Sequence, residues 1–192
     1  SEEVVLTPCK KDEVVYGMAD GCMVFTREES WKEVKVGRIF KSSSCIHAGD
    51  KPGWISNSQY LAYLDTHKRF TTEMEKLLDH YSQSGQPIVF ISDGAPWIKN
   101  WIADAYPQVI SVLDFYHASE HLHDYAKAEI KDEIRRKEWV DEHVELLLNG
   151  EVQKIIDELS SLSVISEQAR QLMDYYESNK TRMDYPLYKK LG

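Results

Sequence analysis

The sequence predicts an α/β domain continued by an all-helical segment, and three observations carry that expectation. Apolar runs at 13–21, 87–96 and 108–117 have the length of strands and are separated by stretches with helical spacing. Each of these runs contains an aspartate at its close: Asp20, Asp93 and Asp114. From about Ala118 to Lys180 the strand signal disappears, and charge of alternating sign, as in KAEIKDEIRRKEW, marks solvated helix faces.

Taken in order, residues 13–21 form a short apolar run ending in Asp-Gly. Residues 30–44 alternate in part through Val34, Val36, Ile39 and Phe40, which predicts a strand with one polar face. A loop is expected over 47–54. Tyr60, Leu64, Phe70, Met74, Leu77, Leu78 and Tyr81 recur at three- and four-residue steps, which predicts a helix over 57–82, stopped by Ser84-Gly85. The uninterrupted run PIVFISDGAP has the character of a strand buried on both faces in a parallel sheet. A short helix over 96–106 and the run QVISVLDFYH follow, and Asn149-Gly150 supplies a helix stop in the second half. The expected division places the α/β core at 1–123 and the helical appendage at 124–192.

Composition bounds the function. At 192 residues, 42% hydrophobic and 29% charged, the chain has enough material for one core plus an appendage and is not of disordered type. No apolar run reaches bilayer-spanning length and no secretory signal opens the chain, so no membrane partner and a cytoplasmic setting are expected. Cys9, Cys22 and Cys45 are odd in number and lack C-x-x-C spacing, which argues for a reducing compartment. The chain opens on Ser and closes on YKKLG, and is expected to be a piece of a longer protein. A net charge of −9 opposes bulk attraction to nucleic acid. Any DNA contact has to come from local basic patches, from cations held by the acids, or from other parts of the protein.

The three aspartates carry the chemistry. In open α/β sheets function gathers at the carboxyl ends of the strands, and three strands delivering one carboxylate each would build an acidic cluster there. Such a cluster retains a proton or binds a cation, and its hard oxygens suit Mg²⁺ or Mn²⁺ in phosphoryl transfer. Each acid also has a plainer role open to it. Asp20-Gly21 is a hairpin-turn signal, Asp93 can cap the helix after Gly-Ala-Pro, and Asp114 can cap the helix carrying the histidines.

Three blocks, ADGCMVFTREESWKEVKVGRIFK, IVFISDGAPWIKN and VLDFYHASEHL, resemble in order and spacing the catalytic domain of bacterial insertion-sequence transposases of the DDE class, broadly Mutator-like. The resemblance covers most of 13–125 and, more loosely, the helical remainder. It implies an RNase H-like mixed sheet with flanking helices, followed by an all-α insertion. It implies that Asp20 and Asp93 are the first two acids of the triad and hold divalent metal, with a two-metal Mg²⁺ or Mn²⁺ site in the complete enzyme. Asp114 and His117 resemble the family's D-x-x-H element and are expected beside the catalytic site in a supporting or DNA-positioning role. The family's third acid, a Glu behind a Gly-Ser-Gly-like turn, is expected beyond residue 192, since Glu167 and Glu177 lie in ordinary helical surroundings. The implied partners are DNA, as element ends and target, and further copies of the full-length protein.

Other residues take either functional or plain readings. Arg27 and Lys32 lie beyond Asp20, where a substrate backbone can pass. Lys127, Lys131 and Arg135 fall four apart, either as a phosphate-binding face or as a helix laced with salt bridges to Glu129, Asp132 and Glu133. Trp97 and Trp101 are expected in the core, Trp31 and Trp54 in polar surroundings, and His67, His80 and His143 exposed. A zinc-peptidase alternative rests on H-x-x-E-H, with His117 and His121 as ligands, Glu120 as base and Glu142 or Glu145 as third ligand. A third possibility is a non-catalytic domain of transposase descent that binds only DNA or a partner protein.

Overall fold

A computed structural model describes residues 10, 13–27, 30–49, 51–64 and 66–191; Cys9 lies outside them. The elements run β1 (Val15–Thr26), β2 (Ser30–Lys41), β3 (Cys45–Ala48), β4 (Lys51–Ile55), β5 (Gln59–Tyr63), α1 (His67–Gln83), β6 (Ile88–Ser92), α2 (Pro96–Ala105) and β7 (Ile110–Leu113). Helices α3 (Phe115–Glu129), α4 (Glu133–Leu148), α5 (Val152–Ser160), α6 (Glu167–Asn179) and α7 (Tyr185–Leu191) follow. The chain is mixed α/β, with a five-stranded sheet of order β5-β2-β1-β6-β7 and a separate β3-β4 hairpin. It divides into two compact units, Ser1–Ser111 and Val112–Gly192. That division falls within β7, earlier than the expected 123/124, because Ala118, Leu122 and Tyr125 of α3 share a core with Leu147, Ile155 and Leu172.

In the first unit, β1 pairs antiparallel with β2 and parallel with β6, and β2 pairs antiparallel with β5. Val15, Ala19, Ile39, Ile88 and Phe90 face a core completed by Phe70, Met74, Leu77 and Leu78 of α1 and by Ile98 and Ile102 of α2. Two glycines allow this close approach. A Cβ on Gly17 would meet the Phe90 ring at 2.7 Å, and one on Gly37 would meet the Phe70 ring at 3.0 Å. Trp101 donates from Nε1 to Glu75 Oε1 at 2.7 Å and stands edge-on to Phe90, so it packs against the core as expected, as does Trp97. The Tyr106 hydroxyl donates to Asp79 Oδ1 at 2.7 Å, and burial together with Asp79 pushes its pKa up, so it remains protonated.

Several expectations are corrected here. β1 does not end at Asp20, and Asp20-Gly21 is not a turn. The strand continues to Thr26 because Cys22, Val24 and Phe25 find cross-strand partners in Val34, Lys32 and Trp31. Residues 59–63 are a strand rather than the start of a helix: Gln59, Leu61 and Tyr63 turn to the more sheltered face while Tyr60 and Ala62 are exposed, a period of two. The helix begins only at His67. The loop expected over 47–54 instead belongs to the β3-β4 hairpin, with an irregularity between Ile46 and Ala48.

The second unit is entirely helical beyond β7, as expected. Its core is closed by Tyr176, whose buried hydroxyl donates to the Ala118 carbonyl at 2.8 Å. Arg182 is buried and donates to the Val112 carbonyl at 3.2 Å and to Asn179 Oδ1 at 3.1 Å. His143, expected at the surface, is 1% exposed. Its ring stacks on Trp139 at 3.7 Å, and its nitrogens lie 2.7 Å from the Trp139 carbonyl and 3.0 Å from Glu158 Oε2. The helix face carrying His143 is therefore the face turned to α5, which spacing around an isolated histidine does not reveal.

Candidate active site

Asp20 and Asp93 each follow directly on the last pair of the β1-β6 ladder. The parallel ladder between β1 and β6 ends with Ala19 opposite Ser92, both 3% exposed on the core face. One residue further along β1, Asp20 falls by the period-two alternation on the face opposite the core, while Asp93 directly follows the last residue of β6. Neighbouring strands stand about 4.8 Å apart, and Asp20 and Asp93 each come one residue after the last pair of this ladder. Asp20 is exposed, and its Oδ1 accepts the Gly21 N–H at 2.7 Å. Asp93 is half-buried and its Oδ1 accepts the Ala95 N–H at 2.9 Å, which tightens the turn into α2. Asp93 thus supports the start of α2 from two residues before the N-cap, which is Ala95.

The same sheet face carries Arg38, which register places opposite Met18, two residues before Asp20. Its guanidinium lies 5.1 Å from the Phe40 ring and 5.2 Å from the Tyr60 ring, and Nε donates to Ser58 Oγ at 2.9 Å. Aromatic faces on two sides and one hydrogen bond pre-orient this cation. Arg38 did not stand out in the sequence, although the spacing Val34, Val36, Arg38, Phe40 marks it as a member of this face. Lys32 lies opposite Val24 on the Asp20 face, about 13 Å along the strand from Asp20, and is half-buried. Arg27 is exposed in the turn that follows β1.

Two carboxylates on adjacent strands fit a hard divalent cation as part of its ligand set. Among the described residues, no group of three or more His, Cys, Asp or Glu is arranged to hold a metal ion.

Asp114 and His117 belong to the second unit. Asp114 is the N-cap of α3, its Oδ1 accepting the N–H groups of Tyr116 at 2.7 Å and His117 at 3.3 Å. The capping alternative is thus realised. His117 Nδ1 stands 3.8 Å from the same oxygen, a buried atom with no hydrogen-bond partner among the described residues. The ring borders a shallow pocket of about 370 Å³ with Tyr116, Ser119, Glu120 and His123.

His117 and His121 do lie one turn apart on a formed helix, but the His121 ring is spent on Tyr175, with centroids 3.8 Å apart. Glu142 and Glu145 are exposed on α4, and the zinc alternative lacks a converging third ligand among the described residues. Burial holds the His121 pKa below its ordinary value; Asp124 and Glu120 push it up and His117 pushes it down. A lowered pKa means that the unfolded chain takes up this proton first as pH falls. Stability of the helical unit should therefore be full above about pH 6.5 and decline as pH drops through that value towards the lower folded one. Urea midpoints measured against pH should show this decline, and His121→Asn should flatten it.

The basic residues of the second half do not form one face. α3 ends at Glu129 and α4 begins at Glu133, so Lys131 sits in the break, between Lys127 on α3 and Arg135 on α4. Asp132 caps α4 by accepting the Arg135 N–H at 2.9 Å. Nearby, Arg136 pairs with Glu133 at 3.7 Å and Lys137 with Asp141 at 2.7 Å, the pattern of a salt-bridged surface. Glu167 and Glu177 are exposed and paired with Arg170 and Lys180.

No protein-family model matches the chain, and no curated protein matches its sequence. Among the described residues, no helix is long and apolar enough to cross a membrane.

Proposed function

We propose that the chain is the catalytic-domain portion of an RNase H-like DDE transposase that cleaves phosphodiesters and transfers DNA strands with divalent metal. The observation that carries this reading is the β1-β6 register, whose last pair, Ala19 and Ser92, immediately precedes Asp20 and Asp93. The mixed strand order around β1 supports the RNase H-like assignment, as does the order of the three motif blocks. The setting is the bacterial cytoplasm, and the partners are element ends, target DNA and further copies of the full-length protein.

In this reading Asp20 and Asp93 ligate Mg²⁺ or Mn²⁺. Such an ion, held by these two residues, would supply activation of an attacking water and charge stabilisation at the phosphorus. The protein's own part is positioning. The turn bond from Ala95 orients the Asp93 carboxylate, and Arg38 presents a fixed cation on the Asp20 face for a phosphate oxygen. Asp114 and His117 serve as supporting, DNA-positioning residues, with Arg27, Lys32, Lys127, Lys131 and Arg135 as backbone contacts outside the site. Cleavage is attack of water on phosphorus with release of a 3′-hydroxyl, and transfer is attack of that hydroxyl on target DNA.

The test is Mn²⁺ binding to the purified chain, followed by water-proton relaxation. Weak binding is expected, and it should disappear in both Asp20→Asn and Asp93→Asn. Binding that survives both substitutions overturns the assignment of the metal to this pair. Since two carboxylates are an incomplete ligand set, the chain alone should show no robust metal-dependent nicking. Observing such nicking would remove the requirement for a further acid.

A further inference from the structure

The parallel ladder between β1 and β6 stops at Ala19, and the pairing of β2 with β5 begins only at Lys35. Residues 20–26 of β1 and 30–34 of β2 therefore leave the sheet together as a two-stranded ribbon. Among the described residues, no strand pairs with the outer edge of either. The ribbon's large apolar side chains are solvent-facing: Met23 is 58% exposed, Phe25 65% and Trp31 63%. Phe25 and Trp31 are direct cross-strand partners with rings edge-on at 5.6 Å.

Soluble proteins blunt such an edge with lysine, proline, charge or a bulge. The β1 edge has none of these over residues 21–26, which read Gly-Cys-Met-Val-Phe-Thr in an unbroken register. The β2 edge does carry such guards, Lys32 and Glu33.

We propose that the β1 edge of this ribbon is the seam of a two-fold homodimer, in which a second copy adds its own overhang antiparallel. Self-complementarity points to a second copy as the occupant. Antiparallel pairing centred on Met23 sets Met23 against itself, Cys22 against Val24 and Gly21 against Phe25, with no like charges opposed. The same operation on the β2 edge, centred on Lys32, would set lysine against lysine. On one face of the seam, the two Met23 and two Phe25 side chains join the two Trp31 rings in a continuous apolar strip. Each Phe25 lies across a glycine, beside the Glu33 side chain whose carboxylate already rests over Gly21 and is held on its other oxygen by Lys35. Edge pairing consumes backbone N–H and C=O groups and leaves both faces of the ribbon open. It does not obstruct Asp20 on its face, and it does not depend on the metal-site reading.

Sedimentation equilibrium of the purified chain tests the seam. The wild-type chain should dimerise with rising concentration, whereas Met23→Lys and Met23→Glu should each lose the dimer and keep a wild-type circular dichroism spectrum. Because Met23 meets only its own copy in this register, an equimolar mixture of the two variants should regain the dimer. Lys32→Glu, on the other edge, should leave association unchanged. A wild-type chain that stays monomeric, a Met23→Lys variant that still dimerises, or loss of the dimer in Lys32→Glu would each overturn the seam. A mixture that remains monomeric would overturn the register.

Discussion

In the proposed transposase, Asp20→Ala and Asp93→Ala should each reduce strand cleavage and transfer by roughly three orders of magnitude or more. Each removes a ligand from the ion on which the proposed chemistry depends, a loss of several kcal/mol of transition-state stabilisation. Because the two carboxylates act on one ion, the double variant should fall little further than either single one. The consequences for folding should differ. Asp20 is exposed and its Oδ1 accepts its neighbour's N–H, so its removal should change stability by no more than about 0.5 kcal/mol. Asp93 holds the turn into α2 through Ala95, so its loss should cost about 0.5–2 kcal/mol. Excision and transposition assays beside urea unfolding separate the two effects. An active Asp20→Ala or Asp93→Ala variant removes that residue from the proposed site.

Phe90→Ala should be the most destabilising single truncation in the first unit, at about 3–5 kcal/mol. Phe90 is 0% exposed at the centre of β6. Its ring fills the space left by Gly17 on β1 and meets the edge of Trp101 at 5.7 Å. Removing it opens a cavity between β1, β6 and α2, since glycine has no side chain with which to close the gap. Urea unfolding followed by tryptophan fluorescence should show the loss, with Trp101 reporting directly on the emptied site. A change below about 1 kcal/mol would mean that the surrounding chain collapses into the space. The same variant should also weaken Mn²⁺ binding, because Asp93 lies three residues beyond Phe90 and depends on the strand that Phe90 anchors.

The apolar runs were legible where burial was simple. Ile88, Val89, Phe90 and Ile91 announce β6 because the strand has few polar interruptions, and Pro96 announces the start of α2. The absence of strands beyond β7 was equally plain, since the second half has the alternating charge of solvated helices. By contrast, Tyr60 and Leu64 happen to continue the helical spacing of Phe70 and Met74, and the period-two pattern of five residues was too short to compete. His143 gave no warning of burial because its neighbours in sequence are mostly polar. Its partners, Trp139 and Glu158, come from the turn before it and from another helix.

The sequence by itself determined the α/β core, the helical second half and the aspartates that close the apolar runs, because apolar period and strand length are local properties. Only the tertiary structure decided that Asp20 lies mid-strand, one residue past the last pair with β6, that Asp114 caps α3, and that Arg38 shares the Asp20 face. Those facts depend on which strand pairs with which and in what register. Register is a property of two segments at once, set by the side chains that must share the core face.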